Sequence, residues 1–233
     1  LQPVKPRAPD MHTNQQDITR RRVLKAALGL GGMVLGVPGL TAERANQRFT
    51  PPMTRGPFYP QIKPLDQDAD LTVLSGARQH AQGQVVHLTG RILDLDGKPV
   101  PGARVAIWQA DAHGHYHHPG DRQPTAVDGN FQGFGVQTTD AQGRYRFKTI
   151  KPGAYPLMTG LRTPHIHFEI EGQNDLVVTQ MFFPGEALNA DDGLLQALQP
   201  AQRELVMARR MPIAADMDPR ATHLAWDIIL MSG

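Results

Sequence analysis

Two histidines separated by one residue are the first candidates for chemistry in this chain. They lie in HIHFEI, residues 165–170. If this segment is a strand, successive side chains point to opposite faces, so His165 and His167 share one face and Ile166 lies on the other. Their Cβ atoms would be about 6–7 Å apart, close enough to bind one metal ion. The pattern fits equally well two surface histidines on the polar face of a strand.

Two tyrosines and an arginine precede these histidines. Pro and Gly residues in KTIKPGAYPLMTGLRTP predict a loop that presents Tyr155 and Arg162 beside the histidine strand. Tyr116 follows the strand that carries Trp108, in WQADAHGHYHHPGD. The alternatives are a Tyr155 packed over the sheet edge, an Arg162 in a surface salt bridge, and a polar loop that gathers metal without function, which would comprise His113, His115, His117 and His118.

Short alternating segments must position these side chains. VVHLTGRIL and RYRFKTI alternate apolar and polar residues, and DLDG and DAQG supply turns. ARVAIWQA, HIHFEI, LVVTQMFF and HLAWDIIL complete a set of strands that predicts an all-β fold, a β-sandwich. Residues 48–74 are rich in Pro and Asp and predict ordered coil. One helical pattern, near residues 191–210, predicts one or two short helices with a break around Pro200.

Composition limits the choice of metal ligands and partners. Cysteine is absent, so a metal would have to be held by His, Tyr, Asp or Glu. The formal net charge is +2, but residues 1–42 hold six Lys/Arg against two Asp/Glu, and without them it is −2. The body of the protein is therefore not basic, and we expect no nucleic-acid partner.

The N-terminal residues have the order of an export signal. TRRRVLK is followed by the uncharged AALGLGGMVLGVPGL, which is too short and too rich in glycine to span a bilayer comfortably. Arg20 and Arg21 match the pair of a twin-arginine signal. We expect residues 1–45 to be this signal and a linker, and residues 46–233 to be a periplasmic or extracellular domain with no stable membrane span. An uncleaved anchor or a basic amphipathic tail are the alternatives.

Three motifs together resemble the intradiol ring-cleavage dioxygenases, in the order and near the spacing of that family: GRILDLDGKPVPGARVAIWQADAHGHY, FQGFGVQTTDAQGRYRFKTIKPGAYP and LRTPHIHFEI. The similarity runs from about Gly83 to Gly185 and is greatest to the iron-bearing subunit of the protocatechuate-cleaving members. It implies a transthyretin-like β-sandwich with one non-haem iron(III). It also implies that O2 cleaves a catechol ring between its two hydroxyl-bearing carbons, giving a cis,cis-muconate-type diacid.

The resemblance also assigns roles to individual residues. The family's ferric ligands fall on Tyr116, Tyr155, His165 and His167. Phenolates are hard anionic donors that favour iron(III) over iron(II). Tyr155 would also accept a proton from the catechol, and Arg162 would stabilise negative charge on the ring, a role worth about 2.7–4 kcal/mol for one preorganised donor. The family's glutamine near this arginine corresponds to Gln180 in VTQMFF, a candidate for binding substrate.

The segment TRGPFYP, residues 54–60, bears on how the site is completed. Two-subunit members of the family take a Gly-Pro-Phe element from a partner chain. Because this sequence carries its own, one gene product would supply both parts, within one chain or between copies in a homo-oligomer. Tyr59 is a candidate for lining the substrate pocket, with a structural packing corner as the alternative. Leu157 replaces a Trp of the protocatechuate-cleaving members, which leaves the identity of the catechol open.

Two other functions fit parts of the sequence. DLDGKPVPGARVAIW alone is also similar to non-catalytic transthyretin-like modules, so a β-sandwich that only binds a ligand is the first alternative. A zinc hydrolase built on the histidine-rich segment 113–118 is the second, and it would leave Tyr155 and Arg162 unexplained.

Overall fold

The computed structural model describes residues 48–215 and 217–232. The predicted signal and linker, residues 1–45, lie outside the described residues and stay a prediction, as does the start of the domain at residue 46. The described residues form a β-sandwich, as the sequence predicts. Across those residues, no helix has the length and apolar character that crossing a bilayer requires.

The first sheet is organised around its longest strand, β1 (Val85–Leu93). One edge of β1 pairs antiparallel with β4 (Arg144–Ile150). Its other edge pairs parallel, first with β10 (Thr222–Ala225) and then with β11 (Ile228–Ile229). The last strand of this sheet, β9 (Arg209–Met211), pairs antiparallel with β10.

The second sheet carries the histidines. Its four antiparallel strands lie in the order β3 (Phe134–Thr138), β2 (Arg104–Trp108), β7 (His165–Glu171) and β8 (Leu176–Phe182). A separate ribbon of β5 (Tyr155–Leu157) and β6 (Gly160–Arg162) directly precedes β7. The histidine strand is therefore central, with a neighbour on each side.

Strand alternation sorts the side chains into two layers. Ile166, Phe168 and Ile170 of β7 pack against Leu88 and Phe147 of the other sheet in one fully buried cluster. The opposite face of the second sheet carries a separate aromatic cluster, made of Ala106, Trp108, Ala110, Tyr116, Phe134 and Tyr155. The histidines project on this outer side, as the alternation in HIHFEI predicts.

Two predicted elements differ in detail from the structure. HLAWDIIL forms two strands, β10 and β11, instead of one. Between them the side chain of Asp227 accepts the hydrogen bond from the Arg91 backbone N–H, whereas in a continuous strand a backbone carbonyl would accept it. The helical pattern forms a 3₁₀ turn at Ala187–Ala190, helix α1 (Gly193–Gln196) and helix α2 (Pro200–Leu205). Pro200 begins α2, where its missing N–H costs nothing, so the predicted break there is confirmed.

Candidate metal centre

His165 and His167 point their Nε2 atoms toward the same place. The two atoms are 3.2 Å apart, and both side chains are 1% exposed. Tyr155 begins β5 and places its Oη 3.3 Å from His165 Nε2. Tyr116 arrives from the loop after β2, with its ring centroid 5.1 Å from that of Tyr155 and 6.3 Å from that of His167. The structure therefore brings the four predicted side chains together.

The ribbon β5–β6 corrects one expectation about this region. The prolines and glycines predicted a loop, but Tyr155 and Arg162 are paired directly across two short strands. This pairing places the phenol and the guanidinium on adjacent backbone positions, immediately before the histidine strand. Tyr155 is 2% exposed and belongs to the aromatic cluster, so it does not lie over an open sheet edge.

Burial keeps the two imidazoles and the two phenols neutral in the metal-free protein. It lowers the pKa of His165 to about 3, and it holds the pKa of His167 well below its ordinary value, where the closeness of His165 and of the Arg162 charge also disfavours protonation. Burial also raises the pKa of Tyr155, and it raises the pKa of Tyr116 well above the ordinary value. Neutral imidazoles offer free lone pairs to a metal, whereas the phenols would ionise only beside a strong positive charge.

The hydrogen bonds around these groups leave atoms open for a cation. His165 Nδ1 donates to the Thr163 carbonyl at 2.6 Å, which leaves its Nε2 as the acceptor that faces the site. Tyr116 Oη is buried and has no partner at good hydrogen-bond geometry, although the Tyr155 hydroxyl lies near enough to influence its pKa. A buried polar atom without a partner normally costs about 1–3 kcal/mol, so its presence calls for an explanation such as an ion. Two phenols and two imidazoles around one point fit iron(III).

Packing, and not a hydrogen bond at Nδ1, orients the far side of the His167 ring. Its Nδ1 is buried without a partner. Its ring lies parallel to the Trp108 indole, with centroids 4.8 Å apart and an 8° angle between the planes. Trp108 and Gln180 occupy the register positions on either side of His167, on β2 and β8. The indole therefore fixes the plane of this imidazole.

Arg162 lies in a buried polar network that the sequence did not reveal. Its Nε donates to Asp192 Oδ2 at 2.8 Å, and its Nη2 donates to Gln180 Oε1 at 2.7 Å. Gln180 is fully buried and donates from Nε2 to the Thr54 carbonyl at 2.9 Å. The surface salt-bridge alternative for Arg162 is wrong, because this side chain is only 5% exposed. Both ends of the Gln180 amide therefore have partners within the protein, and its binding of substrate stays a prediction.

The 54–60 segment covers the site from within the same chain. At Gly56, whose φ is 71°, a Cβ would lie 3.1 Å from His167 Cε1, so the backbone rests against this ring. Phe58 stacks on Tyr116 with ring centroids 4.8 Å apart, and it meets Tyr155 edge-on at 5.8 Å. Of the two arrangements left open by the sequence, the structure shows the one within a single chain.

Tyr59 contacts the supporting residues rather than the four central side chains. Its ring meets Trp108 edge-on at 4.9 Å, its Oη donates to Glu169 Oε1 at 3.3 Å, and it accepts a hydrogen bond from Lys63 Nζ. Glu169, two residues beyond His167, also forms an ion pair with Arg55 at 2.5 Å. These contacts match the packing-corner alternative for Tyr59.

Asp192 and Glu169 are site residues that were not predicted from the sequence. Asp192 carried one local signal, since an Asp before an apolar helical pattern is a preferred N-cap, and it does cap α1 through the backbone N–H groups of Leu194 and Leu195. Glu169 carried a weaker sequence signal, because it is the third polar residue in the alternating segment HIHFEI. Their partners, Arg162 and Arg55, are distant in sequence, so neither contact could be read from local pattern.

The histidines of segment 113–118 do not converge on a common point where a metal ion could bind. His115 bonds with Thr125, His117 Nε2 donates to the Asp128 carbonyl, and His118 Nδ1 accepts from the Gly120 N–H. Among residues 48–215 and 217–232, no group of three or more His, Asp or Glu is arranged to hold a metal ion. The geometry therefore gives no support to the zinc alternative.

Comparisons with known proteins identify relatives of this chain. A family model described as "Dioxygenase" matches residues 54–232. The chain is 41% identical over 174 residues to the protocatechuate 3,4-dioxygenase beta chain of Burkholderia cepacia, covering 72% of this chain and 73% of that protein. It is 34% identical over 172 residues to the 6-chlorohydroxyquinol 1,2-dioxygenase of Cupriavidus pinatubonensis, covering 66% of this chain but only 58% of that enzyme.

A solved structure shares the fold. The catechol 1,2-dioxygenase from Pseudomonas arvilla C-1 superposes with a TM-score of 0.61 at 26% identity, over 82% of this chain and 66% of that chain. Together with the family match over most of the described residues, this similarity decides the relationship. The chain belongs to the intradiol ring-cleavage dioxygenases.

Proposed function

We propose that this protein binds one iron(III) through Tyr116, Tyr155, His165 and His167, and cleaves a catechol-type ring with O2 between its hydroxyl-bearing carbons to give a cis,cis-muconate-type diacid. The observation that carries the proposal is the convergence of these four buried side chains, two phenolic and two imidazole. The orphaned Tyr116 hydroxyl supports it, because a cation at this point would give that oxygen its missing partner.

An iron(III) held by these four residues would supply a Lewis-acid site that the two oxygens of a catechol dianion can chelate, where the ring becomes reactive toward O2. The remaining roles belong to the chain itself. Tyr155 Oη, ionised beside the metal and next to His165, would accept one catechol proton as it leaves the metal. Arg162, held by Asp192 and Gln180, presents its positive charge to the ring as negative charge develops there.

The 54–60 segment excludes water from this chemistry. Gly56 rests on His167 and Phe58 covers both tyrosines, so these faces of the site are dry. A low local dielectric strengthens the interaction between Arg162 and charge on the ring. In this proposal Tyr59 supports the segment instead of contacting substrate.

The names of the relatives support a class of substrate. Proteins named for protocatechuate, 6-chlorohydroxyquinol, hydroxyquinol and catechol all resemble this chain. Protocatechuate or another substituted single-ring catechol is therefore the proposed substrate.

The test combines metal content, colour and oxygen uptake. Iron-loaded protein should show a visible tyrosinate-to-iron(III) charge-transfer band and should consume O2 with a panel of catechols. Tyr155→Phe should fold but lose most ring cleavage, since the proton acceptor is removed. Tyr145→Phe is the matched control, because that phenol bonds the Trp226 carbonyl away from the site. A folded, colourless protein without oxygen uptake, or wild-type turnover by Tyr155→Phe, would contradict the proposal.

Export and assembly extend the same proposal. The twin-arginine pattern at Arg20 and Arg21 supports delivery to the periplasm or the exterior, by a route that carries folded proteins. Replacing both by Lys should retain the protein in the cytoplasm, and unchanged export would refute this part. The covering of the site within one chain supports a single type of subunit, as a monomer or a homo-oligomer, and the mass of the purified native protein measures which.

A further inference from the structure

We propose that a cleft on the outer face of the first sheet binds a small molecule with two separated oxyanion groups, carboxylate or phosphate. The cleft has a volume of about 710 Å³, within the range of about 300–1,000 Å³ that is usual for small-molecule sites. The side chains of the candidate metal centre are not among its walls, and the buried core between the two sheets separates the two places. The inference goes beyond the proposed function, because binding here needs no iron.

Strand register gives this cleft a floor of small side chains and a frame of arginines. Thr89 of β1 is directly opposite Arg146 of β4. On the other edge of β1, Thr89 is level with Ala225 of β10, which is level with Arg209 of β9. Since residues two apart on a strand point the same way, the next arginines on β1 and β4 join this face. The arginines of the frame are Arg91, Arg144, Arg146 and Arg209, which are all exposed.

Positive charge exceeds negative charge in this cleft. Among the residues that the structure describes, its walls contain four arginines and two aspartates, Asp140 and Asp227, so their formal charge is +2. Residues 43–233 as a whole have a formal charge of −2. Arg91 and Arg144 are directly opposite each other, a position in which like charges destabilise a sheet. An anion bound among these arginines relieves their repulsion, so the cleft attracts anions to a protein body that is otherwise acidic.

Two of the arginines lack a carboxylate partner of their own. Arg209 lies 3.8 Å from Asp227 Oδ2, which Arg91 already holds at 2.8 Å. Within the described part of the chain, no carboxylate forms an ion pair with Arg146. The planar guanidinium group donates two parallel N–H bonds to a carboxylate or a phosphate. These two side chains are therefore the anchor points that a ligand would use.

The distance between the two anchor points favours a ligand with an oxyanion group at each end. Arg146 and Arg209 stand in one row of the sheet, on β4 and β9, with β1 and β10 between them. Neighbouring strands are about 4.8 Å apart, so the two backbones are separated by roughly 14 Å. A single small anion at one guanidinium leaves the other without a counterion. A molecule with two separated oxyanion groups pairs with both and neutralises the charge of +2.

Gln137 adds a neutral donor to the wall that carries Arg146. Its Oε1 accepts a hydrogen bond from the Arg146 backbone N–H at 3.0 Å, which fixes the orientation of the amide. The Nε2 group is then the end that donates to a ligand. The donors of this wall thus suit an oxyanion, which accepts several hydrogen bonds at once.

Calorimetry of the iron-free full-length protein at low ionic strength tests the assignment. The probes are adipate, a short chain with a carboxylate at each end, and fructose 1,6-bisphosphate, which carries two separated phosphates. We expect saturable binding of at least one probe, with one molecule per chain, and the probe that binds more tightly identifies the oxyanion. Acetate and inorganic phosphate, which each carry a single oxyanion group, should bind at least about tenfold more weakly, since they pair with one anchor point.

Arg146→Gln should weaken binding of the preferred probe about tenfold, because one charge-assisted partner is lost. It should leave iron content and ring cleavage unchanged, since the cleft and the candidate metal centre lie on opposite faces of the sandwich. Arg220→Gln is the matched control and should bind the probe like wild type. It removes the same charge from an exposed arginine that pairs with Asp218 outside the cleft.

Three outcomes would overturn the assignment. They are the absence of saturable binding of both probes, an affinity for acetate or inorganic phosphate equal to that for the preferred probe, and equal affinities of Arg146→Gln and Arg220→Gln. The last of these would also be the result if the basic residues 1–42 bound the anion. A protein that binds a probe as expected but cleaves no catechol would refute the proposed function and leave the cleft assignment standing.

Discussion

Replacing Asp192 by Asn should destabilise the protein strongly, although the two side chains have the same shape. Asp192 Oδ2 accepts hydrogen bonds from Arg162 Nε and the Thr163 N–H, and Oδ1 accepts from the N–H groups of Leu194 and Leu195. An Asn amide has only one oxygen, so in either orientation two of these donors face an NH2 group. Each buried donor without a partner costs about 1–3 kcal/mol, and the Arg162 charge also loses its counterion. The expected loss is about 3–5 kcal/mol, as for other broken buried ion pairs.

Urea unfolding of the iron-free protein at neutral pH, followed by circular dichroism, measures this loss. Asp191→Asn is the matched control, since it makes the same change one residue away on an exposed carboxylate, and it should alter stability by no more than about 0.5 kcal/mol. In iron-loaded protein, Asp192→Asn should lower kcat about 10- to 100-fold, because Arg162 loses the group that orients it. Equal unfolding midpoints for the two variants would show that the buried pair does not contribute as reasoned.

The same variant has a pH signature. Burial acts to raise the pKa of Asp192, but hydrogen bonds from Arg162 and the Leu195 backbone, with the Arg162 charge, outweigh burial and leave this pKa below its ordinary value. A carboxylate with a depressed folded-state pKa contributes stability above its unfolded pKa of about 3.9 and loses it as the pH falls through the folded value. Wild type should therefore lose this contribution below about pH 4, and Asp192→Asn should lack that part of the acid sensitivity. An identical acid response in both proteins would refute the linkage.

Two further predictions concern the metal centre. Tyr116→Phe removes a buried hydroxyl without a partner, so it should stabilise the iron-free protein by about 1 kcal/mol in urea unfolding while lowering its affinity for iron; destabilisation of the iron-free form would count against the geometry. Gly56→Ala and Gly76→Ala strain similar backbones, with φ of 71° and 78°, but only the first places a methyl group against His167. Iron affinity, measured by competition with a chelator, should fall in Gly56→Ala alone, and equal losses would mean that the contact with His167 is unimportant.

The parts of the fold that alternate strongly could be predicted from the sequence. VVHLTGRIL is strand β1 without any shift in its ends, and His165 and His167 do share a face. The strands that escaped prediction are short or interrupted by Gly and Pro: β3, β5, β6 and β9. The strand β9, for example, is three exposed residues, whose pairing with β10 is decided by the sheet rather than by their own pattern.

The site was predictable to the extent that its residues follow a recognisable motif. The four side chains of the candidate metal centre converge on one place, but the residues that support them come from distant parts of the chain. Glu169 meets Arg55 across 114 residues, and Arg162 meets Asp192 across 30. Such pairs depend on how strands and loops are brought together, and a single sequence holds no periodic signal for them.

The burial of the histidine face explains why the 54–60 segment is required. An outer sheet face that carries His165, His167 and Glu169 would ordinarily be solvated, yet all three are at most 7% exposed. Glu169 ties the segment to β7 through Arg55 and Tyr59, and the Thr54 carbonyl accepts a hydrogen bond from Gln180. Since these links lie on both sides of Gly56, they hold its backbone against His167. The segment that excludes water from the site is thus anchored to the residues that flank and support the histidines, and loosening it would disturb both together.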